Sequence, residues 1–250
     1  MQYTLKPDYT WHTKVTTYDA GQDRKLRLSA LLRLQQEVGE LHLGEGGLTY
    51  QELYSHNLVF VLTRLNQVIH HLPVMGQEIQ VKTWHQTNKG AQFYRCYQIL
   101  DKEGTPLTEG VTAFALIEAA THKLLRPSVF DQFGLPRQPD RANGCPPPAK
   151  LRLPEEMKVA GTREIRWSDT DYNGHLNNTV YADILCDYLP HPEGTSSMAG
   201  RDITGFSIAY EREALEGEAL KLQVAEEPGT VWMAGDHDRG RCFEAYLTYR

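Results

Sequence analysis

The fold of this chain is decided by one stretch, Ser168-Asp169-Thr170-Asp171-Tyr172-Asn173-Gly174-His175-Leu176-Asn177-Asn178. Before it, residues 164–167 alternate polar and apolar side chains, as a half-buried strand does. After it, apolar residues recur at helical spacing from Val180 to Tyr188. Asn177 or Asn178 can cap that helix by accepting a hydrogen bond from a free backbone N–H of its first turn. The stretch is therefore predicted to be a strand-to-helix junction.

The polar side chains of this junction share one side. Asp169, Asp171, Asn173 and His175 occupy odd positions, and alternate residues of an extended chain point the same way. Full extension would leave Asp171 and His175 roughly 13 Å apart, so they act together only if the chain bends. Gly174 is where a bend costs least. A carboxylate, a carboxamide and an imidazole beside a helix N-terminus could stabilise an oxyanion, although an ordinary capping turn has the same composition.

The composition excludes several classes of protein. Of the 250 residues, 40% are hydrophobic and 23% are charged, as in soluble globular proteins of one or two domains. No apolar run approaches the roughly 20 residues that span a bilayer, and residues 1–6 resemble neither a signal nor a transit peptide, which predicts a cytoplasmic location. The net charge of −6 argues against a general nucleic-acid binder. Four scattered cysteines, and ten histidines without an HExxH pattern, predict reduced thiols, no metal site and no other cofactor.

The first half predicts one long helix within a set of strands. The strands are predicted at 10–18, 58–68, 78–86, 92–100 and 108–118. A helix from about Ser29 carries a buried apolar stripe that includes Leu31 and Val38. A capping box at Thr49 predicts a short second helix, with Asn57 as its stop.

A proline-rich segment separates the two halves, because periodicity fails between Pro127 and Pro154. The second half then repeats the order of elements, with a strand, the junction, a long helix and four more strands. Those strands are predicted at 161–167, 205–212, 218–225, 230–235 and 241–249. We predict an N-terminal domain of residues 1–130, a linker of residues 131–154 and a C-terminal domain of residues 155–250.

The junction of the second half has a faint counterpart in the first. The aligned pairs are Asp19 with Asp169, Gly21 with Asp171, Asp23 with Asn173, Lys25 with His175 and Leu26 with Leu176. Such a duplication predicts an α+β fold in which a long helix wrapped by an antiparallel sheet occurs twice.

Across most of its length, the sequence resembles the acyl-acyl-carrier-protein (acyl-ACP) thioesterases of plant plastids and bacteria. The resemblance rests on five segments: Leu58–Leu65, Pro73–Trp84, Lys123–Pro127, the junction Ser168–Asn178, and Tyr210–Glu213. It implies a tandem double hot-dog fold, in which an antiparallel sheet wraps a long helix in each half. The absence of a transit peptide is expected of a bacterial member.

The resemblance also implies an activity, the hydrolysis of fatty acyl-ACP to free fatty acid. The family's catalytic positions transfer to Asp171, Asn173, His175 and Glu213. Many plant members have a cysteine directly after that glutamate, whereas this chain has Ala214, which disfavours a thiol nucleophile. We therefore expect attack by water assisted by a general base, with the choice between Glu213 and Asp171 left open.

Each candidate catalytic residue has an assigned role and a simpler alternative. His175 could orient the water or protonate the leaving thiolate, and Asn173 could hold the carbonyl or the pantetheine arm. Backbone N–H groups at the helix N-terminus, near Asn177 and Asn178, are expected to bind the oxyanion. The simpler alternatives are that Glu213 is one more surface acid and that His175 is a structural histidine.

The acyl chain requires an apolar pocket, which we expect in the first half. The candidate lining residues are Phe60, Val61, Trp84 and Phe93, all of which would also suit an ordinary core. Acyl carrier protein is acidic, so docking is expected on a basic patch. The candidates are Arg24, Lys25, Arg27, Lys123, Arg126, Lys150, Arg152 and Lys158.

Other functions and assemblies stay open at this point. One alternative is a hot-dog enzyme that acts on coenzyme A thioesters, or a related hydratase. Another is a non-catalytic acyl-binding protein that kept the fold. A homodimer is also left open.

Overall fold

The computed structural model describes residues 3–250, and the chain divides into two compact units between Pro148 and Ala149. Each unit has an antiparallel sheet with a helix packed against it. Within residues 3–250, no helix is both long enough and apolar enough to cross a membrane.

The first unit follows the predicted order of elements. They are β1 (Asp8–Lys14), α1 (Leu28–Glu45), α2 (Tyr50–Ser55), β2 (Leu58–Ile69), β3 (Glu78–Lys89), β4 (Gln92–Leu100), β5 (Pro106–Glu118) and a 3-10 helix, Pro127–Phe133. The strands are antiparallel in the order β1-β3-β4-β5-β2. The first strand ends at Lys14, earlier than predicted, because the Asp19 carboxylate accepts the backbone N–H of Thr16 at 3.1 Å and bends the chain.

Helix α1 lies across one face of this sheet, as predicted. Val38 on its apolar stripe is fully buried. Two polar residues of the helix also reach the sheet: Gln35 forms hydrogen bonds with Gln67 of β2, and His42 accepts one from Arg95 of β4. The helix is thus held by apolar burial together with buried hydrogen bonds, which stabilise a fold when every partner is satisfied.

The short helix α2 begins and ends as its sequence predicts. The Thr49 hydroxyl accepts the backbone N–H of Glu52 at 3.2 Å, which caps the first turn. Asn57 has a left-handed backbone with φ of +60°, a conformation that asparagine tolerates and that ends the helix.

Residues 131–148 belong to the first unit, so the predicted linker of residues 131–154 is too long. Residues 141–145 cover the face of the sheet that points away from α1. The Arg141 guanidinium lies 4.1 Å from the centre of the Trp84 ring, and the backbone N–H of Gly144 donates to Glu109 at 2.9 Å. The Cys145 thiol donates to a backbone carbonyl of β2. An extended proline-rich chain can pack in this way without any periodicity that the sequence would reveal.

The second unit has a shorter helix than predicted. Its elements are β6 (Lys158–Glu164), a 3-10 turn (Trp167–Asp169), α3 (Val180–Asp187), β7 (Ile203–Tyr210), β8 (Ala219–Glu227), β9 (Thr230–His237) and β10 (Gly240–Tyr249). Its strands have the order β7-β10-β9-β8-β6. Helix α3 has eight residues rather than the long run expected, since Pro190 and Pro192 disfavour helical backbone in the residues before them. Its buried face includes Tyr181 and Leu185.

The duplication is confirmed by the hydrogen bonds of the two junctions. Three backbone hydrogen bonds of the first junction each have a match in the second. Gly21 N–H to Lys25 O (2.9 Å) matches Asp171 N–H to His175 O (2.8 Å), and Leu26 N–H to Pro73 O (2.8 Å) matches Leu176 N–H to Ala214 O (2.7 Å). Arg27 N–H to Asp19 O (2.9 Å) matches Asn177 N–H to Asp169 O (2.9 Å). The match continues where Val74 N–H donates to the Gln77 side chain and Leu215 N–H to the Glu218 side chain. Glu213 therefore has Leu72 as its counterpart.

Candidate active site

A tight turn brings the two ends of the polar motif together. The backbone N–H of Asp171 donates to His175 O at 2.8 Å, and that of Gly174 donates to Asp171 O at 2.9 Å. Gly174 has φ of +77°, the left-handed conformation that glycine adopts without strain. The chain thus bends at the residue where the sequence predicted it.

The turn then pairs with the segment that follows β7. His175 bridges to Leu215, and the Leu176 N–H donates to Ala214 O at 2.7 Å. This pairing places Glu213 close enough to His175 for the two side chains to interact electrostatically. Two of the predicted catalytic residues, 38 positions apart in sequence, therefore meet in one site.

Asp171 and Asn173 occupy the tip of the turn. One carboxylate oxygen of Asp171 accepts the backbone N–H of Asn173 at 2.8 Å, so this aspartate helps to form the turn. The side chain of Asp171 is half-buried, whereas Asn173 and His175 are exposed. The site opens to solvent, and the capping-turn alternative accounts for part of the role of Asp171.

Glu213 is held by a neighbour that the sequence analysis did not identify. The Arg239 guanidinium, on the turn between β9 and β10, donates from Nη1 to Glu213 Oε1 at 3.0 Å. The pKa of Glu213 is lowered, first by a hydrogen bond from its own backbone N–H and then by Arg239, with a smaller contribution from His175. Glu213 therefore stays ionised at a lower pH than an ordinary glutamate would.

His237 fixes the same region from β9. The backbone N–H of Arg239 donates to His237 Nδ1 at 3.1 Å, so the proton lies on Nε2, which donates to Glu213 O at 3.2 Å. His237 and Arg239 lie more than 20 residues from Glu213 in sequence, and no local pattern indicated either contact. Only the pairing of the strands could have revealed them.

The N-terminus of α3 offers less to an oxyanion than expected. The Asn177 side chain accepts the backbone N–H of Thr179 at 2.9 Å, and Asn177 O accepts that of Val180. The N–H of Asn177 itself donates to Asp169 O. These three donors are committed to the junction and are not available to an oxyanion. The Asn178 carbonyl accepts the Tyr210 hydroxyl at 2.9 Å.

The cysteines of this unit lack the properties of nucleophiles. Burial raises the pKa of Cys186 to about 12 and that of Cys242 to about 11, so both are thiols at neutral pH. Cys242 donates to Arg212 O at 3.2 Å, and Ala214 is fully buried beside the site. Within residues 3–250, no group of three or more His, Cys, Asp or Glu side chains is placed to hold a metal ion.

The corresponding turn of the first unit has the same backbone without the candidate catalytic side chains. Lys25 bridges to Val74 just as His175 bridges to Leu215. The counterparts of Asp171, Asn173, His175 and Glu213 are Gly21, Asp23, Lys25 and Leu72. The first unit therefore keeps the junction as a structural element and lacks counterparts of the Asp171 and Glu213 carboxylates and of the His175 imidazole.

The four candidates for the acyl pocket do not come together. Phe60 and Phe93 do, since their ring centres lie 5.0 Å apart and both contact Phe130. Trp84 packs on the opposite face of the sheet in a separate cluster with Cys96 and Cys145, and Val61 is 40% exposed. The alternation of side chains along a strand accounts for both differences, because neighbouring residues point to opposite faces.

A cleft of about 280 Å³ lies beside Phe93. Its lining combines an apolar floor with a polar edge: Phe93, Phe130, Leu135, His85, Asn88, Asp131 and Arg137. Arg137 and Asp131 form an ion pair at the edge. Four of its seven lining residues are polar or charged, so this is a mixed cleft rather than the predominantly apolar pocket that usually binds an apolar ligand.

Buried polar groups lie next to this cleft, under α1. Arg95 pairs with His85 across β3 and β4, and its Nη1 donates to His42 Nδ1 at 2.9 Å and to Thr83 Oγ1 at 3.2 Å. Burial, followed by the charge of Arg95, lowers the pKa of His42 to about 4 and that of His85 to about 3. Both histidines are therefore neutral at physiological pH. No local sequence pattern indicated this cluster, because its members are distant in sequence.

Comparison with known proteins adds independent support. The chain matches the family model for the acyl-ACP thioesterase N-terminal domain over residues 6–132 and that for the C-terminal domain over residues 154–239. It is 24% identical to a chloroplastic palmitoyl-acyl carrier protein thioesterase of Gossypium hirsutum over 85% of this chain and 54% of that protein. It is 23% identical to a chloroplastic dodecanoyl-[acyl-carrier-protein] hydrolase of Cinnamomum camphora over 86% of this chain and 59% of that protein. The chain thus spans just over half the length of these curated relatives.

Solved structures share the architecture. The chain resembles an acyl-ACP thioesterase from Bacteroides thetaiotaomicron with a TM-score of 0.86 and 19% identity, over 98% of both chains. It resembles the 12:0-ACP thioesterase from Umbellularia californica with a TM-score of 0.77 and 20% identity, over 99% of this chain and 98% of that one. At this identity the likeness establishes the fold, which confirms the predicted double hot-dog. Since the two family models match in order along most of its length, the chain belongs to the acyl-ACP thioesterase family.

Proposed function

We propose that this protein hydrolyses the thioester of fatty acyl-ACP and releases the free fatty acid. The observation that carries the proposal is the pairing of His175 and Leu176 with Leu215 and Ala214, which brings the Glu213 carboxylate within range of a charge interaction with the His175 imidazole. A carboxylate and an imidazole on a solvent-open turn are the groups that water attack on a thioester requires. Membership of the family supports the same reaction.

The proposed reaction begins with a water molecule at this site. The oxygen of this water attacks the carbonyl carbon while a carboxylate takes one proton from the water. The carbonyl oxygen becomes an oxyanion. When the oxyanion collapses, the C–S bond breaks and the pantetheine sulfur leaves with the electron pair. The proton taken by the carboxylate then passes to that sulfur, and we assign to His175 either this transfer or the orientation of the water. The products are a fatty acid and the free thiol of the carrier.

Glu213 is the better placed of the two candidate bases. Its side chain is 48% exposed, with one carboxylate oxygen held by Arg239 and the charge of His175 acting on it, whereas Asp171 uses a carboxylate oxygen to form the turn. Asn173, exposed at the tip of that turn, is assigned to the carbonyl or the pantetheine arm. If Glu213 is the base, Glu213→Gln should lose more activity than Asp171→Asn when the rate of each variant is expressed per amount of folded protein.

The acyl chain is assigned to the first unit. The cleft beside Phe93 has an apolar floor, and the buried Arg95 and His42 make its surroundings under α1 polar. A hydrocarbon chain gains free energy only where it replaces water at apolar surface. We therefore expect the chain to follow Phe93, Phe130 and Leu135 and to stop before the polar cluster.

Acyl carrier protein is the proposed partner. Its acidic surface would meet basic side chains, and exposed charge pairs are screened within about 8–10 Å at physiological ionic strength. Binding should therefore weaken as salt is added. We place the protein in the cytoplasm, where its four free cysteines would stay reduced. The number of copies in solution would be read from sedimentation.

The experiment uses purified protein with saturated acyl-ACPs of graded length and the matching acyl-CoAs. We expect free fatty acid from the carrier-protein substrates, with a maximum at one range of lengths. Faster hydrolysis of the coenzyme A thioesters would favour an acyl-CoA thioesterase over an enzyme that acts on acyl-ACP. Tight binding of acyl chains without hydrolysis of either carrier would favour a binding protein and refute the proposal.

A further inference from the structure

One guanidinium links two acids at the proposed active site. Arg239 Nε and Nη2 donate to the two carboxylate oxygens of Glu218 at 2.9 Å each, while Nη1 donates to Glu213 Oε1 at 3.0 Å. Nη2 also donates to the backbone carbonyl of Glu213 at 2.9 Å. The two hydrogen bonds to Glu218 fix the plane of the guanidinium, so that Nη1 is aimed at the Glu213 carboxylate.

The fold itself does not require this arrangement. In the first unit, the same turn is closed by the Gln77 side chain, which accepts Val74 N–H at 3.0 Å, in place of Glu218. Leu72 stands where the second unit has Glu213. The two acids that Arg239 joins are thus both absent from the copy that lacks the catalytic motif, while the turn is preserved.

The surroundings of Glu213 make Arg239 its main fixed cation. The titratable groups that face it are Arg239 on the β9–β10 turn, His175 on the motif turn, His237 on β9, Tyr181 on α3, Cys242 on β10 and Glu218 before β8. Tyr181 and Cys242 are neutral at physiological pH, because burial raises the pKa of each. His237 contacts only the backbone of Glu213.

We propose that Arg239 is a positioning residue of the active site, which holds the Glu213 carboxylate ionised beside His175. The inference rests on the proposed function, in which Glu213 receives the proton of the attacking water. Without Arg239, the carboxylate would be free to rotate away from His175. It would also take up a proton at a higher pH, since an adjacent cation favours the ionised form.

A carboxyl titration tests the first half of this inference without any substrate. The pH at which the Glu213 side-chain carbon titrates is followed by carbon NMR, with Glu213→Gln to identify its signal. We expect the midpoint to move to higher pH in Arg239→Gln. The matched control is Arg241→Gln, because Arg241 is also forked between two acids, Asp236 (2.7 Å) and Glu244 (3.0 Å), and is exposed to a similar degree. An unchanged midpoint in Arg239→Gln overturns the inference.

The pH dependence of hydrolysis tests the second half. We expect Arg239→Gln to lower kcat by up to about 10²-fold with little change in KM, as misplacement of a reacting group does. The acid limb of kcat/KM should move to higher pH, and Arg239→Lys should restore part of both losses because it keeps the charge. In the Glu213→Gln background, Arg239→Gln should add no further loss.

The outcomes separate the two proposals. If wild-type protein hydrolyses no acyl thioester, the proposed function fails and the catalytic part of the inference fails with it. If wild-type protein is active and Arg239→Gln has an unchanged acid limb, the inference alone is overturned. A variant that only loses stability, with the limb in place, would make Arg239 a structural clamp and would also overturn it.

Discussion

Gly174 and Arg24 occupy the same position in two copies of one turn, and both have a left-handed backbone, with φ of +77° and +63°. Arginine is strained in this conformation, which costs L-residues other than glycine roughly 1–2 kcal/mol. The first unit therefore tolerates strain at a turn to which we assign no catalytic role. The second unit has glycine at the bend that sets the distance from Asp171 to His175.

The first prediction follows from this comparison. A Cβ at residue 174 would meet no atom within 4 Å, so Gly174→Ala should act through backbone strain alone. We expect its free energy of unfolding to fall by about 1–2 kcal/mol in urea titrations. Arg24→Ala is the matched control and should change stability by less than about 0.5 kcal/mol. Equal losses in both variants would contradict the argument.

The second prediction concerns the proposed catalytic turn of residues 171–175. His175→Ala and Asn173→Ala should remain folded, because both side chains are exposed, and should lose about 10²- to 10⁴-fold in the rate of acyl-ACP hydrolysis. Lys25→Ala and Asp23→Ala, at the same positions in the first unit, should keep nearly full turnover. Loss of activity in the Lys25 and Asp23 variants alone would mean that the active site has been placed in the wrong unit.

The third prediction excludes a thiol mechanism by its pH dependence. A thiolate is the reactive form of cysteine, and Cys242 and Cys186 reach that form only near pH 11 and 12. Iodoacetamide at pH 7.5 should therefore leave the rate of hydrolysis unchanged, with mass spectrometry used to count modified cysteines. Stoichiometric inactivation that maps to Cys242, in protein that stays folded, would revive a thiol nucleophile.

The sequence predicted the elements that are periodic and missed the contacts that are not. Strands β2 to β5, the stripe of α1 and the bend at Gly174 each follow from residues within one short window. The length of α3 was overestimated, because its apolar spacing continues to Tyr188 whereas the chain turns before Pro190. Asp171, His175 and Glu213 were found through their likeness to a family, and their proximity depends on how strands pair.

The missed residues share one physical property, which is that their partners are distant in sequence. Arg239 lies 26 positions from Glu213, and Arg95 lies 53 positions from His42. A charged residue in a strand or turn has no pattern that distinguishes a solvated side chain from a buried or paired one. The separation of Trp84 from Phe60 and Phe93 has a related cause, since which face of β3 meets α1 depends on register.

The fourth prediction tests the cleft in the first unit. Leu135→Trp should fill the space beside Phe93 and shift the fatty-acid products towards shorter chains. Val61→Trp adds the same side chain at a position that is 40% exposed and should leave product length unchanged. Overpacking can cost about 1–3 kcal/mol, so thermal unfolding must be compared before product profiles are read. A shift with Val61→Trp alone would place the acyl chain on the other face of the sheet.

The last prediction is a pH dependence of stability that originates under α1. The pKa of His42 is about 4 in the folded protein, whereas an unfolded histidine titrates near 6.5, so acid favours the unfolded chain. The stabilisation is fully present above about pH 6.5 and is lost as the pH falls towards 4, by an amount on the order of 3 kcal/mol.

The experiment uses His42→Gln, in which the amide can still accept a hydrogen bond from Arg95 and donate one to Lys6 O, while residue 42 no longer titrates. Urea unfolding at pH 7, 5 and 4 should therefore show that the free energy of unfolding falls less with acid in His42→Gln than in wild-type protein. His85 contributes a further loss in both proteins. Replacing the exposed His71 by glutamine should leave the wild-type slope in place. If the free energy of unfolding of His42→Gln changes with pH as steeply as that of wild-type protein, His42 does not cause the loss of stability in acid, and the prediction is wrong.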